Sequence, residues 1–384
     1  MKPASVSAVA LLCAIALTAS PLLWAEEPTT REVAPDTDRC PQATWPPKAQ
    51  TTSEAPTSIS PLPQLYDGPC GITAPDGFKV DDNVLASSWL VADVDSGEVI
   101  AMKDPHGRYR PASIIKVLLA MVVINELPME QEVTVSLESA SQQGSAVGIG
   151  EGGVYTVEQL LLGLLLASGN DAAHALAQTL GGDEATLRKI NALASELGTT
   201  DTRVATYSGL DASGMQTSAW DLGLMYRAAY ADPTFSRLVN TESVEFPGYG
   251  DTPGYELWND NQLFMNDPNG IGGKTGFTDD ANHTFVGALG RDGRRLMAII
   301  LDTTVGEMRP WQQSQALLHE AYNFDTSVAE LTQLPEPPKQ APPVVAQAKT
   351  NDDPDDLAIG IVVGVLLAAV VAIFVGEVQR RRRR

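Results

Sequence analysis

Arg110-Pro111-Ala112-Ser113-Ile114-Ile115-Lys116 runs straight into Val117-Leu118-Leu119-Ala120-Met121-Val122-Val123-Ile124, a polar turn followed by an apolar run. The pattern predicts a buried helix whose first turn carries a serine and a lysine. Residues three apart on a helix share a face, so Ser113 Oγ and Lys116 Nζ can meet there. A serine hydroxyl is a weak nucleophile until a base takes its proton. A lysine in an apolar surround has its pKa pushed down toward that role. The helix N-terminus adds backbone N–H groups and a positive dipole end, which favour an alkoxide and a developing oxyanion. Taken alone, this spacing is more often that of an N-capped amphipathic helix than of an active site, and the rest of the chain must decide.

The 384 residues suffice for one large or two ordinary domains, and 43% hydrophobic residues supply a normal core. A formal charge of −22 argues against nucleic acid or an anionic membrane surface as the main partner. His106, His174, His283 and His319 are scattered, with no H-x-x-x-H and no Cys-x-x-Cys. A metal site or a Ser-His-Asp triad therefore has little to draw on.

Both ends read as membrane-directed. Lys2, an apolar run from Val6 to Leu23 and the small Ala25 before Glu26-Glu27 form a secretory leader over residues 1–25. Residues 357–376 are an uninterrupted apolar segment of spanning length. The segment ends at Glu377-Val378-Gln379 and Arg380 to Arg384, a basic tail over residues 377–384 that is placed in the cytoplasm. The domain between them therefore faces outward. Cys13 leaves with the leader, and Cys40 and Cys70 remain as an even pair in an exported chain, so one disulfide is expected.

Residues 26–73 are rich in Pro, Thr, Ser and Glu without apolar periodicity, which predicts an extended linker; residues 326–356 predict a second, acidic one. Between them, residues 74–325 make the domain. Trp89–Val94 and Glu98–Met102 flank Asp95-Ser96-Gly97 as a β-hairpin. Gln131–Val135 is a short strand, and Gly144 to Gly153 a loop. Thr156-Val157-Glu158-Gln159 is a capping box opening the all-apolar helix Leu160–Leu166, which ends at Ala167-Ser168-Gly169-Asn170-Asp171. Further helices follow to Leu180, over Asp183–Leu197 and over Ser218–Tyr230. Strand pattern returns at Ile271–Thr278, Thr284–Leu289 and Leu296–Leu301, the last two joined by an Asp-Gly turn, before a helix over Pro310–Tyr322. Strands at both ends with helices between indicate an α+β fold: one antiparallel sheet flanked by helices, plus an all-helical lobe.

Ser113-Ile114-Ile115-Lys116, Ser168-Gly169-Asn170 and Lys274-Thr275-Gly276 resemble the S-x-x-K, S-x-N and K-T-G motifs of penicillin-binding proteins and serine β-lactamases. The wider blocks, including Gly209-Leu210-Asp211 with Gly214 and Gly273 to Thr278, are most similar to the D-alanyl-D-alanine carboxypeptidases. The resemblance covers roughly residues 74–325 and implies a five-stranded β-lactamase/transpeptidase-like sheet. It implies Ser113 as nucleophile on the terminal D-Ala-D-Ala amide of a peptidoglycan stem peptide, Lys116 as acylation base and Ser168 as a proton bridge. Asn170 would hold the peptide backbone or Lys116, and Lys274 and Thr275 the terminal carboxylate. Gly276 would let the strand lie close to substrate, and the N–H groups of Ser113 and Phe277 would form the oxyanion hole. β-Lactams would be covalent inhibitors, and no cofactor or metal would be needed. Phe277 stands where histidine is common, Ile115 where threonine is common, and no β-rich C-terminal domain follows. A class A β-lactamase shares the acylation chemistry but deacylates with an Ω-loop glutamate, and no E-x-x-L-N occurs between Ser168 and Lys274. A non-catalytic wall-binding protein is the other alternative, although all the motif side chains are present. Carboxypeptidase and D,D-endopeptidase use the same residues.

Overall fold

The computed structural model describes residues 30–50 and 59–332. In chain order these form β1 (Ile72–Thr73), β2 (Ser88–Asp93), β3 (Glu98–Lys103), a 3-10 turn (Ala112–Ile115), α1 (Lys116–Glu126), β4 (Glu132–Thr134) and α2 (Leu137–Ala140). Then come β5 (Val154–Thr156), α3 (Val157–Leu166), α4 (Asn170–Thr179), α5 (Asp183–Glu196), α6 (Ala219–Ala231) and α7 (Pro233–Val239). The chain closes with β6 (Ser243–Phe246), β7 (Tyr255–Trp258), α8 (Gln262–Asn266), β8 (Gly270–Thr278), β9 (Asn282–Arg291), β10 (Arg294–Thr303), α9 (Pro310–Ala321) and β11 (Ala329–Glu330).

The main sheet is antiparallel, in the order β1-β3-β2-β10-β9-β8 with β11 also on β3. Five long strands match the expected five; two two-residue strands bring the described sheet to seven. β1 and β11 lie end to end along β3, against Met102–Lys103 and Glu98–Val99, and so cover an edge that would otherwise invite pairing. Both pieces fall outside residues 74–325, so the domain is longer than its apolar pattern suggested.

Period-two alternation divides the core. On β10, Leu296, Ala298 and Ile300 pack with Leu317 and Leu318 of α9, whereas Met297, Ile299 and Leu301 face the helical lobe. Covering on both faces explains why this strand reads as a continuous apolar run. α1 is buried nearly all round, from Lys116 to Val123, and stops at Leu127, whose extended backbone precedes Pro128. α3 opens with the expected capping box, Thr156 accepting from the Gln159 amide and Gln159 from the Thr156 amide. One detail departs from the sequence pattern: Ser113 sits in a 3-10 turn, and α1 proper starts at Lys116.

The described part of the expected linker is packed rather than extended into solvent. The Arg31 guanidinium pairs with the Asp302 carboxylate at 2.7 Å. Lys103 Nζ donates to Pro35 O at 2.8 Å, and Arg108 donates to Thr44 O, Leu62 O and Pro63 O at 2.9, 2.9 and 2.7 Å. Arg110 donates to Pro47 O at 2.6 Å, and the Gln50 amide to Asp280 Oδ1 at 2.6 Å. A proline-rich segment lacks many N–H donors but keeps every carbonyl, so buried cations of the domain satisfy it. Cys40 and Cys70 are joined in a disulfide that closes this strap.

The expected leader (1–25), span (357–376) and tail (377–384) lie outside the described residues, as does most of the second linker. Among the described residues no helix is long and apolar enough to cross a membrane.

The bridge spans a sequence separation of 30 residues. Replacing both cysteines by serine should therefore lower unfolding free energy by about 2–4 kcal/mol, read as a lower denaturant midpoint. An unchanged midpoint would mean that the bridge adds nothing to the hydrogen bonds and ion pair that already hold the strap.

Candidate active site

The turn carrying Ser113 is held from three sides. Thr284 on β9 donates to Pro111 O at 2.8 Å, and the Tyr226 hydroxyl of α6 donates to Ile114 O at 2.8 Å. Gly209 passes behind it with φ +86°, where a Cβ would lie 2.0 Å from Ala112 O. Only glycine fits that approach and that backbone conformation. Ala112 itself has φ +48°, and Ser168 has φ +60°. Left-handed backbone costs a non-glycine residue on the order of 1–3 kcal/mol and persists only where its surroundings enforce it.

Lys116 is completely buried and gathers the motifs around its Nζ. That atom lies 2.8 Å from Ser113 Oγ, 2.8 Å from Asn170 Oδ1, 2.7 Å from Ser208 O and 3.5 Å from Ser168 Oγ. Burial, followed by the charge of Lys274, pushes its pKa well below the ordinary lysine value of 10.5. Asn170 is orientated from both ends, because its Nδ2 donates to Gln143 O at 2.6 Å while its Oδ1 accepts from Lys116. Asp171 next door accepts from the amides of Val147, Gly148 and Ile149. The glycine-rich loop is thereby fixed onto the N-terminus of α4.

Lys274 and Thr275 come from β8, at the open edge of the sheet. A register shift between Ile271 and Lys274 places an extra residue at Gly272-Gly273. Glycine is needed there: Cβ atoms would meet Val239 O at 1.7 Å and Val286 O at 2.1 Å. The bulge re-aims the strand, leaving Lys274 1% exposed and Phe277 49% exposed. Lys274 Nζ donates to Thr275 O at 3.1 Å and lies 4.0 Å from Asp260 Oδ2. Burial lowers its pKa, and Asp260 opposes that shift. At Gly276 a Cβ would lie 2.9 Å from Ser113 N and 2.3 Å from Thr284 Oγ1, so β8 runs directly beside the serine amide.

Ser113, Lys116, Ser168, Asn170, Lys274, Thr275 and Gly276 thus converge on one cleft, with Phe277 on its rim beside the His283 ring at 4.7 Å. Cys40 and Cys70 belong to the strap. The sequence reading missed the Ser208 carbonyl and Asp260. The first had a signal, since the Gly209-Leu210-Asp211 block was visible; the second had none. A cavity of about 180 Å³ adjoins the cleft, lined in part by Asp260, Thr275, Gly276, His283 and Arg309. A larger concavity of about 630 Å³ around Arg227 and Arg295 contains no motif residue, so the chemistry selects the smaller one.

The family model described as D-alanyl-D-alanine carboxypeptidase matches residues 76–305. The chain belongs to this family of serine hydrolases. D-alanyl-D-alanine carboxypeptidase DacB2 of Mycobacterium tuberculosis is 43% identical over 252 residues, 64% of this chain and 86% of that protein. A crystal structure of a D-alanyl-D-alanine carboxypeptidase from the same organism superposes with a TM-score of 0.64 at 40% identity, covering 67% of this chain and 99% of the other. A D-alanyl-D-alanine endopeptidase of Pseudomonas aeruginosa is 32% identical over 216 residues, 55% of this chain and 69% of that protein.

Gly276→Ala should slow acylation by about 100-fold, the scale of a displaced oxyanion donor, because its methyl would push β8 away from Ser113. Stopped-flow acylation by a chromogenic β-lactam measures this, and a wild-type rate would show that the close approach is dispensable.

Proposed function

We propose that this enzyme removes the terminal D-alanine from D-Ala-D-Ala stem peptides of peptidoglycan at the outer face of a membrane, through an acyl-enzyme on Ser113. The 2.8 Å contact between Ser113 Oγ and a fully buried Lys116 Nζ carries this reading. In its neutral form Lys116 takes the hydroxyl proton as Oγ attacks the scissile carbonyl. Negative charge on the carbonyl oxygen is met by the amides of Ser113 and Phe277. The proton returns to the leaving nitrogen by way of Ser168, and D-alanine departs; water then releases the shortened peptide. Lys274 and Thr275 bind the terminal carboxylate, a charge-assisted contact that selects the end of a chain. β-Lactams enter the same path and stay attached at Ser113. The leader, the apolar segment at 357–376 and the arginine tail support a tethered enzyme whose domain faces the wall, with the C-terminus cytoplasmic.

The likeness to a D,D-endopeptidase supports one second reading, cleavage of cross-linked peptides with the same residues. A cross-linked dimer peptide offered beside a D-Ala-D-Ala pentapeptide distinguishes them by which product accumulates.

Full-length enzyme with labelled penicillin should show one covalent adduct by intact mass. Ser113→Ala should abolish it and lower D-alanine release by more than about 1,000-fold. An adduct persisting in the variant would remove Ser113 from the chemistry.

The pH profile has a defined sign. Acylation needs Lys116 deprotonated and Lys274 protonated, and both are shifted below 10.5. kcat/KM should rise with pH as Lys116 loses its proton and fall as Lys274 loses its own, with both limbs below the ordinary lysine value. A profile still climbing through that value would contradict the assignment.

A further inference from the structure

Asp260 stands between β7 and α8, in a segment with little freedom. Its neighbour Asn259 donates from Nδ2 to Val239 O and Thr241 O, both at 3.0 Å, and Asn261 donates to Val286 O at 3.2 Å. The Asp260 amide donates to Leu166 O at 2.9 Å. So held, the carboxylate points at the K-T-G strand. Thr275 Oγ1 donates to Asp260 Oδ2 at 2.8 Å, and Lys274 Nζ lies 4.0 Å from that oxygen. The other oxygen, Oδ1, is buried with no hydrogen-bond partner among the described residues. A buried carboxylate oxygen without a donor is costly, and the residue itself lines a cavity that also takes in Thr275 and Gly276.

We propose that Asp260 is a specificity-determining residue, an internal competitor that occupies the Thr275 hydroxyl in the free enzyme. The inference rests on the assignment of Lys274 and Thr275 to the substrate's terminal group. A free terminal carboxylate binds only by turning the Thr275 hydroxyl away from Asp260, and it then faces a like charge. A terminal carboxamide meets no such charge, and its N–H groups can donate to Oδ2, the oxygen that Thr275 Oγ1 otherwise reaches. Asp260 therefore narrows the advantage of a carboxylate-ended peptide over its amide.

The test uses full-length enzyme at pH 7 with an acyl-D-Ala-D-Ala peptide and the same peptide as its C-terminal carboxamide. Asp260→Asn keeps the shape and removes the charge; Asp260→Ser removes the contact as well. Both should lower KM for the acid about fivefold, the scale of a partly screened like-charge contact, with the effect on KM rather than kcat. The acid-to-amide ratio of kcat/KM should rise by at least that factor. Unchanged or raised KM for the acid in both variants, with Thr275→Val still raising it, overturns the role of Asp260 alone. If Thr275→Val leaves KM for the acid untouched, the carboxylate assignment fails and takes this inference with it.

Discussion

One buried amine organises this molecule. Lys116 Nζ is withdrawn completely from water and offered four oxygens from three separate stretches of chain. Burying an isolated ammonium costs several kcal/mol, so the lysine is stable there only if those oxygens are placed correctly or if it gives up its proton. Both outcomes serve the same end. The surrounding chain is held in place by the need to partner Lys116, and the residual cost appears as lowered basicity, which is the property a base for serine requires.

The second buried lysine complicates and completes that balance. Lys274 arrives from the far edge of the sheet through a glycine bulge and presses its charge on Lys116, while Asp260 supports Lys274. Two like groups buried side by side cannot hold protons equally well. Both are lowered by burial and both are partly supported by Asp260, but only Lys116 also carries the opposing charge of its neighbour among its leading causes.

Much of this was legible in the residues. The capping box at Thr156, the two-sided apolar run of β10 and the spacing of Ser113 to Lys116 each follow local rules that the fold obeys. The grouping of the three motifs was legible only through their resemblance to a family, because no local rule brings residue 274 beside residue 116. Other features had no local signature. β1 and β11 are too short to show a period of two, and the extra residue at Gly272-Gly273 is invisible without its partner strand. Asp260 looks like any turn aspartate until Thr275 is set opposite. The strap failed for a different reason: composition reports what a segment cannot bury, whereas this one is held by what its backbone can accept.

That mode of attachment has a consequence for how the protein can change over time. Lys103, Arg108 and Arg110 each donate to carbonyl oxygens of the strap, which every amino acid carries. The strap is therefore read as a path rather than as a text. Substitutions along it should be tolerated so long as the backbone keeps its path, while its anchors, Arg31, Thr37 and the paired cysteines, are side-chain specific. Composition along such a stretch can therefore vary while its position against the domain is kept, because the demand for specific side chains falls on the three cations that hold it.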